Sequence, residues 1–231
     1  MSLSRLKNWI VRTPVLGTVA AKIRWAFQRS FPGSTAYWEK RYQCGGTSGV
    51  GSCGRLAQFK AEVVNRFVAE HDVQSVVEFG CGDGGQLSLA EYSGYVGLDV
   101  SPKAVELCRE RFSGDPTKTF DVYDPHRFEQ DHPELRADVA LSLDVIYHIV
   151  EEDLYRLYME HLFAAAERYV IVYSSDRAED PPAPHIRHHP VAAWITEHRP
   201  EWSLIEKAEP PKGDHGTVSF CSFFIYERKS A

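Results

Sequence analysis

The chain has 231 residues, 43% hydrophobic and 12% aromatic, enough to bury one sizeable core and too few for a second full domain. Its formal charge of −6 conceals an asymmetry: residues 1–30 carry six bases and no acid, leaving 20 bases against 32 acids in the rest of the chain. That acidic body argues against a nucleic acid backbone as the main partner, because such affinity comes from Lys and Arg neutralising phosphates.

In the basic arm, apolar residues such as Leu6, Trp9, Ile10, Val15, Leu16, Val19 and Ile23 fall between the bases at roughly helical spacing. Its longest uncharged run, Thr13 to Ala21, is far short of the roughly 20 residues that span a bilayer. The arm is expected to be a helix capping the domain, with peripheral contact to an anionic membrane surface as the alternative. A signal peptide is disfavoured, because Lys22 and Arg24 follow the short apolar stretch at once. The five cysteines are odd in number and lack paired spacing, so they read as reduced thiols of a cytoplasmic protein.

Residues 31–231 read as one domain, opened by a stretch, 31–55, that holds Tyr37, Trp38, Arg41 and a glycine- and serine-rich run from Cys44 to Gly54. Leu56, Phe59, Val63, Val64, Phe67 and Val68 then mark one apolar face of a helix. Ser75 to Phe79 is a buried strand, followed by a glycine turn, a short helix and a second strand from Tyr95 to Val100. Ser101 suits an N-cap and Pro102 a first helical turn, starting a helix through about Arg111. Further strands are expected at Thr119 to Tyr123, Asp138 to Leu143 and Tyr169 to Tyr173, with a helix at Glu151 to Ala166. The last two strand-like runs, Trp202 to Lys207 and Thr217 to Glu227, have no helix between them and should pair antiparallel.

The segment from Val76 to Gly85 places alternating glycines after a buried strand, where the backbone must turn sharply and admit a ligand closely. Gly80, Gly82 and Gly85 also satisfy GxGxxG, and Asp99 lies 21 residues after Glu78, so these residues alone fit a dinucleotide site equally well.

Glu78 two places before the first glycine, the run Gly97-Leu98-Asp99-Val100-Ser101 and the run Leu141 to His148 together resemble motifs of the class I methyltransferases that use S-adenosylmethionine (SAM). The resemblance is to bacterial enzymes of the small-molecule and glycan type. It implies a Rossmann-like α/β fold, a mostly parallel seven-stranded sheet with a C-terminal antiparallel hairpin. It further implies that Glu78, Gly80, Cys81, Gly82 and Val100 pack against SAM, or its product S-adenosylhomocysteine (SAH), and that Asp99 accepts bonds from the ribose hydroxyls. Leu143 and Asp144 would face the amino acid end, and Asp124 the adenine, although Pro125 removes the backbone N–H often used beside that acid and leaves Asp121 as an alternative. Residues 31–55 resemble a lid, with Tyr37 and Arg41 closing over the donor.

The implied reaction is O-methylation of a sugar, glycan or other polar small molecule. A hydroxyl acceptor must lose a proton, and His148, past the fourth strand, and His188, in the Pro184 to His189 run, are the candidate bases. A divalent metal among these histidines, Asp144 and Asp176 is the less favoured reading. A nicotinamide-dependent oxidoreductase and a non-catalytic SAM-binding domain are the alternatives.

Overall fold

The structure is a computed structural model that describes residues 31–178, 183–211 and 219–229. The basic arm, residues 1–30, lies outside the described residues. Helices are α1 (Ser34–Gln43), α2 (Gly54–Glu70), α3 (Pro102–Arg111), α4 (Phe128–Asp131), α5 (Glu152–Ala164) and α6 (Val191–His198). Strands are β1 (Val76–Phe79), β2 (Tyr95–Asp99), β3 (Lys118–Val122), β4 (Ala137–Leu143), β5 (Ala166–Ser174), β6 (Trp202–Ala208) and β7 (Ser222–Arg228).

They form one seven-stranded sheet in the order β3-β2-β1-β4-β5-β7-β6. The first five strands are parallel, and β7 runs antiparallel between β5 and β6. The expected fold class, including the C-terminal antiparallel pair, is the one observed. β1 is buried along its whole length, as a central parallel strand covered on both faces must be. Val77 and Phe79 pack with Met159 and Leu162 of α5, whereas Val76 packs with Val64 and Phe67 of α2. Because side chains alternate along a strand, Glu78 shares the α2 side with Val76.

Ser101 caps α3 as expected, its Oγ accepting the Ala104 N–H at 3.1 Å, with Pro102 following. Other expectations need correction. No α-helix follows the glycine turn; Leu87–Leu89 form only a 3₁₀ turn. Four glycines between positions 80 and 85, three of them at positive φ, disfavour helix there. The helix expected to reach Ala166 ends at Ala164, and Ala166 instead pairs with Ala137 of β4. β7 starts at Ser222 rather than Thr217, which lies outside the described residues. Helix α6, unanticipated, buries Val191 and Ile195 in the core and leads into β6. Among the described residues no helix is long and apolar enough to cross a membrane.

Candidate active site

A cleft opens at the carboxyl ends of β1, β2 and β4, where open parallel sheets present ligand sites. It encloses about 660 Å³ of empty space, part of it open to solvent. Its floor is the glycine turn. Gly80 N–H and Cys81 N–H both donate to the Leu98 carbonyl, tying the turn to β2. Asp99, at the end of β2, accepts the Gly82 N–H on Oδ2 and the Ser101 N–H on Oδ1, each at 2.9 Å. Burial pushes its carboxyl up to about 6, although both N–H bonds favour the charged form. Glu78 accepts the Tyr95 hydroxyl at 2.6 Å, and burial raises it to about 7 against the pull of that bond and of Lys60.

Asp144 follows β4 with φ 60, a conformation few residues other than glycine adopt. Its N–H bonds the Tyr173 carbonyl, which holds the turn. Its Oδ1 accepts the Tyr147 hydroxyl at 3.0 Å and its Oδ2 accepts Lys60 Nζ at 2.6 Å. Lys60, on α2, is 1% exposed and lines the cleft. Sequence reasoning missed it. The available signal was its position three and four residues before Val63 and Val64, on the apolar face of the helix.

Helix α1 and the loop after it lie across the cleft. At one end Glu151 accepts Ser34 N–H and Oγ–H at 2.9 and 2.7 Å, an acid at a helix N-terminus. Along α1, Glu39 accepts the Ser101 hydroxyl and the Lys103 N–H. In the loop, Ser48 bonds Asp83 of the glycine turn through Oγ at 3.0 Å, and Tyr42 OH lies 3.1 Å from Ser48 Oγ. Arg41 Nε donates to the Thr47 carbonyl, and its guanidinium lies 5.5 Å from the Trp38 ring centre.

His148 lines the cleft with Trp38 edge-on at 4.8 Å. Its Nδ1 is 3.1 Å from the His185 carbonyl, which can only accept. Nδ1 therefore carries the proton and Nε2 the free lone pair. Burial, aided by the nearby His185 and Arg41, lowers this imidazole to about 4, so it is neutral at neutral pH.

The sequence matches the model of a family described as a methyltransferase domain over residues 54–209, about two thirds of its length. The chain belongs to this methyltransferase family. No protein of curated function matches it. Among solved structures, the N-methyltransferase NodS of Bradyrhizobium japonicum WM9, in complex with SAH, superposes with a TM-score of 0.65 at 11% identity over 86% of this chain and all of that one. The magnesium protoporphyrin IX methyltransferase of Synechocystis PCC 6803, with bound SAH, gives 0.60 at 16% identity over 91% of this chain and 100% of that one. The methyltransferase domain of bacterial CtHen1 gives 0.60 at 17% identity, covering 75% and 98%. These likenesses show a shared class I SAM-dependent methyltransferase fold.

In this methyltransferase the cleft gathers Glu78, Gly80, Cys81, Gly82, Asp99, Val100, Leu143, Asp144 and His148 of the residues singled out from sequence. Five others, Tyr37, Arg41, Asp121, Asp124 and His188, do not line it. Tyr37 stacks on His185 with ring centres 4.7 Å apart. Arg41 braces the covering loop. Asp124 is exposed, its Oδ1 accepting the His126 N–H, and Asp121 is likewise exposed beside Arg109. His188 is buried, with Nδ1 2.8 Å from Ser175 Oγ. His189, also buried, stacks on Tyr155 at 3.8 Å. Among the described residues no three His, Cys, Asp or Glu side chains cluster as a metal site.

At Gly80, Gly82 and Gly84 the turn has no room for a Cβ. A Cβ on Gly82, at φ 58, would collide with Ser48 Oγ and sit 2.9 Å from Tyr42 OH. Gly82→Ala should therefore strain the turn and push the 44–53 loop outward, costing about 1–3 kcal/mol. Faster proteolysis within the loop and a lowered melting temperature would show it; an unchanged digest would refute the contact.

Glu78 also makes stability depend on pH. Its folded value, about 7, lies above its ordinary 4.5, so its contribution is fully present below 4.5 and is lost as pH rises through about 7. Glu78→Gln keeps an acceptor for Tyr95 and should melt at a temperature that falls less than the native protein's between about pH 5 and about pH 8. Parallel curves for the two proteins would mean that Glu78 is already ionised when folded.

Proposed function

We propose that this methyltransferase takes its methyl group from SAM and transfers it to a hydroxyl of a sugar or another polar small molecule, with His148 as the base. The observation that carries the donor assignment is the polar lining of the cleft: three acidic side chains, Glu78, Asp99 and Asp144, face one cation, Lys60. A ligand with a sulfonium, an ammonium and two ribose hydroxyls complements that set. Asp99 has spent one lone pair of each oxygen on backbone N–H groups, and a carboxylate offers roughly four acceptor positions, so it can also receive ribose hydroxyls.

A pyrophosphate fits poorly. Dinucleotide sites place it at the N-terminus of the helix after the glycine turn, and here a 3₁₀ turn follows instead, in an acidic cleft. The nicotinamide alternative is therefore set aside.

Bound SAM supplies a methyl group on a sulfonium, open to in-line displacement by an acceptor oxygen. The glycine turn and Asp99 orient the nucleoside, and α1 with the 44–53 loop acts as a lid that excludes water. His148, held by the His185 carbonyl, offers Nε2 to the acceptor hydroxyl proton. Trp38, which lines the cleft edge-on to His148, offers an aromatic surface beside it, suited to packing on a sugar ring. Docking of the basic arm on an anionic membrane would bring the enzyme to lipid-linked acceptors.

Calorimetric titration should show SAH binding and no NADH binding, and radiolabelled methyl should pass from SAM to saccharides as alkali-stable ethers. Affinity for NADH without affinity for SAH would sink the donor assignment, and transfer only to amines or carboxylates would sink O-methylation. SAH binding with no turnover of any acceptor would favour a non-catalytic binding domain.

A further inference from the structure

Beside the cleft stands a group of half-buried hydrogen-bond donors for which the protein supplies no acceptor. Arg41, in the last turn of α1, spends Nε on the Thr47 carbonyl at 2.6 Å, and its guanidinium lies 5.5 Å from the Trp38 ring centre. Its two Nη groups carry the remaining N–H donors, and among the described residues they have no acceptor and no carboxylate pairs with the side chain. The neighbouring acid on α1, Glu39, is taken up by the Ser101 hydroxyl and the Lys103 N–H. From Trp38 the rings run on in contact: Trp38 lies 4.8 Å from His148, His148 5.7 Å from His185 and His185 4.7 Å from Tyr37. Among the described residues neither the Trp38 indole N–H nor a ring nitrogen of His185 has a hydrogen-bond partner. Burial lowers the His148 and His185 imidazoles, and the Arg41 charge lowers both further. Both rings are therefore neutral at neutral pH, and the guanidinium is the positive charge of the group.

We propose that Arg41, Trp38 and His185 form an oxyanion subsite for the acceptor, so that the molecule methylated at His148 carries a carboxylate or phosphate group beside its reacting hydroxyl. The subsite rests on the reading above that brings the acceptor hydroxyl to His148. A guanidinium with both Nη groups unused matches the paired oxygens of either group, and His185 and the indole each add one N–H. Arg41 and His185 do not line the cleft proposed for the donor, whereas Trp38 and His148 do. An anion held by Arg41 therefore stands outside the donor cleft and next to the imidazole. That position has a catalytic consequence. An anion paired with Arg41 offsets the charge that lowers His148, so the base becomes stronger when such an acceptor is bound. Asp144, which acts on His148 in the opposite sense, is already joined to Lys60 and Tyr147. Arg41 is thus a specificity residue: it favours an acidic acceptor over a neutral one.

The test titrates the protein, with and without SAH, with inorganic phosphate, with glucuronate and with glucose as the neutral control, following the His148 and His185 imidazole resonances by NMR. Either anion should bind saturably beside bound SAH, about tenfold or more tightly than glucose, and raise the His148 titration midpoint. Tighter binding of glucuronate or of phosphate tells which oxyanion the subsite prefers. Arg41→Gln is expected to weaken anion binding about tenfold or more while leaving SAH affinity within about twofold. Arg41→Lys should retain part of the preference, and His185→Gln should weaken the anions about threefold. Equal affinity for glucose and both anions would overturn the subsite, as would undiminished anion binding in Arg41→Gln. So would a loss of SAH affinity in Arg41→Gln as large as the loss of anion affinity, because Arg41 would then hold the donor. Should Arg41→Gln fail to fold, Arg41→Lys and His185→Gln decide by the same comparison. Arg41-dependent anion binding by a protein that binds no SAH would uphold the subsite and overturn the donor assignment, a result distinct from loss of discrimination.

Discussion

Asp99→Ala is expected to lower SAH affinity by about 100-fold or more and to destabilise the fold at the same time. The carboxylate is joined to the protein before any ligand arrives, by the Gly82 and Ser101 N–H groups. Truncation leaves both buried donors without an acceptor, at about 1–3 kcal/mol each. It also removes the proposed partner of the ribose hydroxyls, and the glycine turn loses the bond that sets its height above the sheet. Offsetting this, burial already penalises the charged carboxylate, so the net loss of stability at neutral pH should be nearer about 2 kcal/mol than the full sum. Asp99→Asn keeps one acceptor oxygen and should fall between the two proteins. Titration with SAH alongside thermal unfolding checks both effects. Undiminished SAH affinity would show that the ribose lies elsewhere, and a lost affinity with full stability would show that the backbone bonds matter little.

His148→Gln should reduce kcat by roughly 10²-fold, the lower end of what a general base contributes, while leaving SAH affinity essentially unchanged. The lower end follows from the imidazole's value of about 4, since a base so weak gains from position more than from proton affinity. The same value sets the pH profile. kcat/KM should be flat at neutral pH and fall as the ring protonates near about pH 4, rather than near the ordinary 6.5. Stability follows the same direction: the ring charges more readily in the unfolded chain, so stability is lost as pH falls from 6.5 toward about 4. An activity limb near pH 6.5, or unimpaired turnover in His148→Gln, would place the base elsewhere. His188 is the other histidine proposed from sequence, and its burial against Ser175, outside the residues lining the cleft, makes it the weaker candidate.

The donor side was far more legible in the sequence than the acceptor side. Strands β1, β2 and β4 are short apolar runs, each ending at a glycine or an acid that marks where the chain leaves the sheet. Such features depend on a few adjacent residues and survive in a linear reading. Helix α6 was not legible, because eight residues with only Val191 and Ile195 buried carry too little periodicity to stand out. Nor was the lack of an α-helix after the glycine turn anticipated, although the four glycines there bear on it directly.

The strand, glycine turn and acid of residues 76–99, with the terminal antiparallel pair, follow from local chemistry. Burial pattern, φ freedom and strand alternation are properties of neighbouring residues. Which side chains meet in the cleft was settled only by packing. Lys60 lies 84 positions from Asp144 and Ser48 lies 35 from Asp83, and no motif links either pair. Lys60 in particular is a lone charge on the apolar face of an amphipathic helix, and no motif marks it. Only the docking of α2 against β1 and the turn after β4 buries its ammonium, and burial makes a partner obligatory.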